Sequence, residues 1–555
     1  MKNLLYLLSF IVLAGCKTSN LPLTDAQLKT QLKKHIVTLS SDDFEGRETG
    51  TAGEEKAYKY IEKQFKKIGL KPAGEKKYLQ DFDFTFGMEA GPSTQLVVNM
   101  TSYKKGEDFL PLSYSGDGVI TGYIARVGYG ILDTALKHDD YKGKIKLAKK
   151  IFVIQAGTPD DDPHGKFADW MDLRKKIDLA IEKGAAAIIF VSADSTMPKL
   201  DSRKSPASEN VPVLYAIGRA ASVLNDSVVV NVTAGAEVIR LTRTGHNVIG
   251  IVDNNAAKTV VIGAHYDHLG YGDEGSLYRG AKAIHNGADD NASGTAALIQ
   301  LASFVKAKKL KNANYVFLAF SGEEKGLLGS NYYVKHPTTD LQKVGGMINM
   351  DMLGRLKPDE KTLIVNGVGT SPEWKSLVDA SKSDSLIIKY TDSGIGPSDH
   401  TSFYLKDIPV LHFFSGTHDD YHKPSDDEDK INYEGQIMIV RTIERLLAAL
   451  DTIPKLPFTK TKDDENEDTP RFKVTLGVVP DYAFEGEGMR IDGISEGKPA
   501  SKAGLQAGDI VVQLGQYPVH DMMSYMKALG KFNKGDTTKV KVIRKHEEVE
   551  ADITF

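Results

Sequence analysis

The chain has 555 residues and a formal net charge of −4. That length exceeds what one hydrophobic core supports and predicts three or four domains. The near balance of charge argues against a nucleic-acid binder, and the ordinary composition is that of a soluble globular protein.

Met1-Lys2-Asn3 gives a positive start, and residues 4–14 form an apolar run of signal-peptide length, too short to span a bilayer. The run ends in Leu13-Ala14-Gly15-Cys16, which resembles a bacterial lipobox, and Cys16 is the single cysteine of the chain. A lipoprotein signal peptide over residues 1–16 is therefore expected, with the membrane reached through lipidated Cys16. Lys17-Thr18-Ser19-Asn20 lacks an inner-membrane retention Asp, so an exported lipoprotein of the outer membrane is expected, on its periplasmic or its surface face. One cysteine allows no intramolecular disulfide.

Between residues 28 and 69, Tyr58, Ile61, Phe65 and Ile68 keep helical spacing, and Gly69 stands where a helix closes. A glycine-rich loop from Asp43 to Gly53 precedes that helix. From about residue 105 to 242 short strands with turn signals predominate, with a helix predicted over 172–183 and strands near 184–191, 211–214 and 228–232. No cluster of His, Asp and Glu occurs there, and Asp160-Asp161-Asp162 reads as a solvated loop. Strand–helix alternation resumes at Asn247 and runs to about Leu450, with strands near 259–264, 315–320, 346–350, 363–366 and 408–413. This alternation predicts an α/β domain with a mixed, mostly parallel sheet flanked by helices. Residues 454–470 read as an acidic, extended linker, and residues 471–555 as a compact unit of small strands.

Five segments of the alternating region place metal-capable side chains at or just past strand ends. His265 follows the apolar run 260–264, and Asp267, two residues on, points the same way on an extended chain and can support its ring from behind. Asp289 and Asp290 stand before a helix whose apolar face is Leu298, Leu301, Ala302 and Val305; alone they would read as a helix cap. Glu323 and Glu324 follow the strand ending at Phe320. As adjacent carboxylates they suit two different roles, one on a metal and one free as a base. Asp351 ends an apolar strand, where an ionised carboxylate is costly unless paired or metal-bound. Asp420-Tyr421-His422 lies in the loop after the strand 408–413. Each segment alone has a structural explanation. Five in succession, all His, Asp or Glu, form a ligand set that suits zinc, or cobalt or manganese.

The stretches Gly263-Ala264-His265-Tyr266-Asp267, Asp290-Asn291-Ala292-Ser293-Gly294, Gly322-Glu323-Glu324, Asn349-Met350-Asp351 and Tyr421-His422-Lys423-Pro424 resemble the motifs of the co-catalytic zinc aminopeptidase family. That family includes bacterial leucyl aminopeptidases and glutamate carboxypeptidase-like relatives. The resemblance implies a zinc exopeptidase fold of the phosphorylase/hydrolase-like type, with two Zn2+ per chain. His265 and Asp351 would bind one ion and Glu324 and His422 the other, with Asp290 bridging. It further implies that Asp267 orients His265, that Glu323 is the general base for a metal-bridging water, and that Tyr421 stabilises the oxyanion. His268 is expected to support a ligand or to pack, Ser398-Asp399-His400 to line the substrate pocket or to be structural, and His418 to be solvated. Arg47, in a loop similar to the start of this family's catalytic domain, would be an ion-pair partner.

Residues 105–242 resemble a protease-associated (PA) domain, through Asp139-Asp140-Tyr141-Lys142-Gly143 and the stretch Ala180 to Phe190. Residues 471–555 resemble a PDZ domain, through Thr475-Leu476-Gly477-Val478 and the stretch Ala500 to Val512. The catalytic domain would then comprise residues 22–104 and 243–453. Its expected activity is removal of N-terminal residues from peptides, with a C-terminal peptide or a protein as the partner of the PDZ domain. A carboxypeptidase or dipeptidase of the same fold, or a glutaminyl cyclase-like acyl transferase, is the alternative.

Overall fold

The computed structural model describes residues 22–555 apart from residues 145, 163–164, 201–206, 209, 227–230, 462–473, 481–486, 495–497, 521, 534 and 546. The expected signal peptide and Cys16 lie outside the described residues, as do residues 462–470 of the expected linker.

Parallel strands buried on both faces form the centre of the large unit. Thr259–His265 lies between Asn314–Phe320 and Val344–Met350 and is parallel to both. All three strands are buried at every residue. Val410–Phe414 continues the parallel run beside Val344–Met350. Among the described residues the sheet has nine strands, extended on one side by Val238–Val252, Lys71–Pro72 and Leu79–Ala90 and on the other by Thr362–Asn366 and Ile387–Thr391. The period of two assigns alternate side chains to opposite layers. Tyr315, Phe317 and Ala319 join the core formed with helices Asp25–Leu39, Ala52–Ile68, Gly294–Lys308 and Tyr433–Thr452. Val316, Leu318 and Phe320 join the core on the other face, against Leu328–Lys335 and His400–Tyr404. Each fully buried Leu or Phe in these layers contributes roughly 1.5–3 kcal/mol relative to exposure. The helical spacing before Gly69 appears as Ala52–Ile68, and Gly69 closes it with φ of 84°.

Besides the short pair Leu132–Asp133 and His138–Asp139, two sheets fill the insert among the described residues. One comprises Phe109–Pro111, Val213–Ala216, Ala187–Val191, Ile151–Gln155 and Ile124–Arg126; the other comprises Thr101–Ser102, Gln95–Val98, Val232–Ala236 and Gly118–Gly122. Both edges of the insert lie N-terminal to the expected 105 and 242. Gln95–Val98 already pairs inside the insert, while residues 238–242 belong to a long hairpin with Leu79–Ala90. The hairpin carries the chain out of the large sheet, so composition does not change where the layers do. The strand expected near 228–232 is observed as Val232–Ala236, with 227–230 outside the described residues.

The expected linker is anchored over its first residues. Leu456 is buried in the main core, and the Thr461 N–H donates to Tyr404 Oη at 3.0 Å. The C-terminal unit has its own core of Leu476, Met489, Ile491, Val511, Leu514, Val540 and Val542. Among the described residues no helix is long and apolar enough to cross a membrane.

Candidate active site

Parallel register brings the five motifs together. His265 pairs with Phe320, so the strand ending in His265 finishes beside the turn that carries Glu323 and Glu324. Gly263 pairs with Asn349, which puts Asp351 level with His265 on the other side. Asp290 comes from the turn before helix Gly294–Lys308. Asn291 ties that turn to the sheet: its Nδ2 donates to Met350 O at 3.0 Å, and its Oδ1 accepts the N–H groups of Gly294 at 2.9 Å and Met352 at 3.1 Å. The Asp426 carboxylate, four residues past His422, accepts the N–H groups of Asp289 and Asp290 through Oδ2, both at 3.0 Å. The loop bearing His422 is thereby fastened to Asp290.

Two sets of donors result. His265 Nε2 stands 3.2 Å from Asp351 Oδ1 and 3.5 Å from Asp290 Oδ1. His422 Nε2 stands 3.2 Å from Glu324 Oε2 and 3.3 Å from Asp290 Oδ2. Ligands bonded to one tetrahedral zinc at its usual bond lengths lie about 3.3 Å apart. Both sets match that edge, and Asp290 gives one oxygen to each. His422 Nδ1 donates to Gly275 O at 3.0 Å, which leaves the Nε2 lone pair facing the carboxylates. Among the described residues, two groups suited to a cation are His265 with Glu323 and Asp351, and His268 with Asp290 and Glu324. His268 belongs to the second by proximity, but its Nδ1 lies 2.7 Å from Glu324 Oε1, a hydrogen-bond length too short for two ligands of one zinc. His422 fits that corner better. The donor set of imidazoles and carboxylates, most of it buried, fits zinc.

The surroundings hold these groups still. His265 Nδ1 stands 3.3 Å from Asp267 O and 3.7 Å from the Asp267 carboxylate. That carboxylate also accepts the Glu323 N–H at 3.2 Å and the Thr49 hydroxyl at 3.0 Å, so it positions the Glu323 turn as well as the imidazole. Ser398 donates to Asp351 Oδ2 at 2.8 Å. Arg47 is completely buried, and among the described residues it forms no ion pair of the expected kind. Its guanidinium donates to four carbonyls, of Leu39, Tyr266, Asn286 and Gly287, because that loop wraps around it. Burial pulls Arg47 down to about 10, while Asp290 and Asp267 oppose the shift. His418, expected in solvent, is largely buried with Nε2 3.3 Å from Asp289 Oδ2.

The two adjacent glutamates differ electrostatically. Burial pushes Glu323 well above the usual carboxylate range, opposed by His265 and reinforced by Asp351, Glu324 and Asp399. Burial also pushes Glu324 up, but His422 and His268 more than offset it and hold Glu324 well below that range.

A cavity of about 60 Å³ opens on Asp290, Glu323, Glu324 and Asp351. Its further walls are Met352, Asn366, Pro397, His412, Phe414, Thr417, Tyr421 and His422. The Tyr421 ring stacks on His422, with centroids 3.9 Å apart. Asn366 and His412 were not singled out from the sequence. The one signal available was a His inside an otherwise apolar strand, and burial holds that His near 4.

Residues 247–447 match the model of Peptidase family M28, and residues 461–555 match that of the PDZ domain. A probable leucine aminopeptidase of Trichophyton verrucosum is 31% identical over 185 residues, covering 32% of this chain and 47% of that one. An aminopeptidase of Pseudomonas aeruginosa is 25% identical over 337 residues, 58% of this chain and 56% of that one. The chain spans about half the length of the curated relatives it matches. Among solved structures, an aminopeptidase from Aneurinibacillus sp. strain AM-1 is 26% identical with a TM-score of 0.44, over 79% of this chain and 97% of that one. Residues 247–447 are thus similar to Peptidase family M28, and residues 461–555 to the PDZ domain.

Proposed function

We propose that this chain is a zinc-dependent aminopeptidase with two ions per chain, held by His265, Asp290 and Asp351 on one side and Asp290, Glu324 and His422 on the other. The observation that carries the reading is Asp290, whose two oxygens face two separate donor sets at 3.3 and 3.5 Å from their histidines. The aminopeptidase names of the curated relatives support the reaction class. Bound zinc would acidify a water and polarise the scissile carbonyl. Glu323, held above the usual carboxylate range, takes the water proton on its carboxylate and passes it to the departing amine. Asp267 keeps His265 and the Glu323 turn in place while this happens. Tyr421, in the cavity wall, donates to the developing oxyanion.

The insert, read as a PA domain, would border access to the cleft, and the PDZ domain would take a peptide tail as an added strand. The opening residues support export as a lipoprotein anchored through Cys16.

Chromogenic aminoacyl anilides test the reaction directly. A free amino terminus should be required for cleavage, and a strong chelator should abolish it until zinc is restored. Cleavage of substrates with blocked amino termini but free carboxyl termini would overturn the aminopeptidase reading in favour of a carboxypeptidase.

A further inference from the structure

His412 lies in strand Val410–Phe414, where it pairs with Asn349 on one side and Asn366 on the other. Cross-strand partners share a face of the sheet, so all three side chains stand on the side that carries Asp351. The Thr391 hydroxyl donates to Asn366 Oδ1, and the amide nitrogen faces the imidazole. Asn366 Nδ2 then donates to His412 Nδ1 at 3.1 Å. Nδ1 is thereby an acceptor, and in a neutral ring the proton must sit on Nε2.

That Nε2–H is buried and has no hydrogen-bond partner among the described residues, in a ring only 3% exposed that belongs to the cavity wall. The ring cannot turn to find one. It is stacked between His400, at 4.6 Å and 20°, and Phe414, at 5.8 Å and 20°. A buried donor left open is costly unless a ligand or water supplies the acceptor. The same cavity has Met352, Pro397, Phe414 and Thr417 in its wall beside the carboxylates of the reacting centre, which leaves room of mixed character for a substrate side chain.

We propose that His412 determines specificity by donating from Nε2 to a neutral acceptor atom on the side chain of the substrate's N-terminal residue. The proposal rests on the aminopeptidase reading. The acceptor is neutral because His412 brings no charge, while Asp290, Glu323, Glu324 and Asp351 border the same cavity and disfavour an anion. Side chains bearing an ether, amide or hydroxyl oxygen would be preferred over hydrocarbons of equal size. A polar donor committed to one substrate atom rejects the isostere lacking it more strongly than a greasy wall rejects a missing methylene.

Two aminoacyl anilides isolate that atom: O-methylserine and norvaline differ only in an ether oxygen replacing a methylene. The measurement is the ratio of their kcat/KM values on the full-length zinc-loaded protein. The native ratio should favour O-methylserine, and in His412→Phe, which keeps the stack, it should fall about tenfold. Asn366→Asp keeps the imidazole but takes its proton on the Nδ1 side, leaving a lone pair on Nε2, so the ratio should fall there as well. A native ratio at or below one overturns the proposal, as does an unchanged ratio in both variants, including the case where both substrates slow together. Failure of the native protein to cleave either anilide, or any peptide with a free amino terminus, overturns the aminopeptidase reading and this proposal with it.

Discussion

His268 donates from Nδ1 to Glu324 Oε1 at 2.7 Å. The contact leaves Glu324 Oε2 to face His422, so each carboxylate oxygen has one imidazole. Gly287 packs against the His268 ring: a Cβ added there would fall 2.5 Å from His268 Cδ2. A ring so confined can hold Glu324 in one orientation. Partners of this kind are worth roughly 10–100-fold in metal affinity. His268→Ala should therefore weaken one of two zinc ions by that factor and spare the other, with His268→Gln recovering part of the loss. Chelator competition followed by metal analysis reads both ions separately.

Glu323→Gln removes the proton acceptor without touching either donor set. Turnover should fall roughly 10²–10⁴-fold, the usual contribution of a positioned general base. Zinc content should stay at the native value. Near-native turnover would remove Glu323 from the reaction.

Arg47→Met replaces a completely buried guanidinium with an apolar chain of similar length. Four carbonyls would then lose this donor, two of them in the turn before Asp289, and of the four Gly287 O keeps the Ala292 N–H at 3.2 Å. Unsatisfied buried groups cost about 1–3 kcal/mol each before relaxation, so a loss of about 3–5 kcal/mol in unfolding free energy is expected, read by urea denaturation.

His35 couples stability to pH far from the metal site. It bridges Tyr60 Oη at 2.7 Å and Gln300 Nε2 at 2.9 Å across two helices. Burial, aided by Lys34 and Lys67, lowers it from 6.5 to about 4. Below its unfolded value the denatured chain takes up a proton that the folded chain refuses. The contribution is thus fully present above pH 6.5 and lost as pH falls toward 4. Between pH 7 and pH 4.5 the native protein should lose about 2–3 kcal/mol more than His35→Gln, measured by urea unfolding at both values.

Apolar strand runs that end in His, Glu or Asp made much of the site readable, because in a parallel sheet strand ends converge on one edge. His265, Asp290, Glu323, Glu324, Asp351 and His422 are brought together for that reason. The side chains that surround them were less readable. Arg47 was expected to seek a carboxylate, but its loop offers carbonyls instead, and no residue pattern announces a backbone partner. His412 depends on Asn366 from an antiparallel neighbour and on Thr391 from a third strand. Such a relay exists only once register is set. The insert's edges were less readable because an antiparallel ribbon, Leu79–Ala90 with Val238–Val252, leads from the large sheet to the insert.

Zinc counted per chain in the native protein and in Asp290→Ala tests the central claim most directly. Asp290 supplies one oxygen to each donor set, so its loss should empty both. The account expects two zinc ions per native chain and close to none in Asp290→Ala, with the variant still folded by circular dichroism. One ion in the native protein, or two retained in the variant, would contradict it.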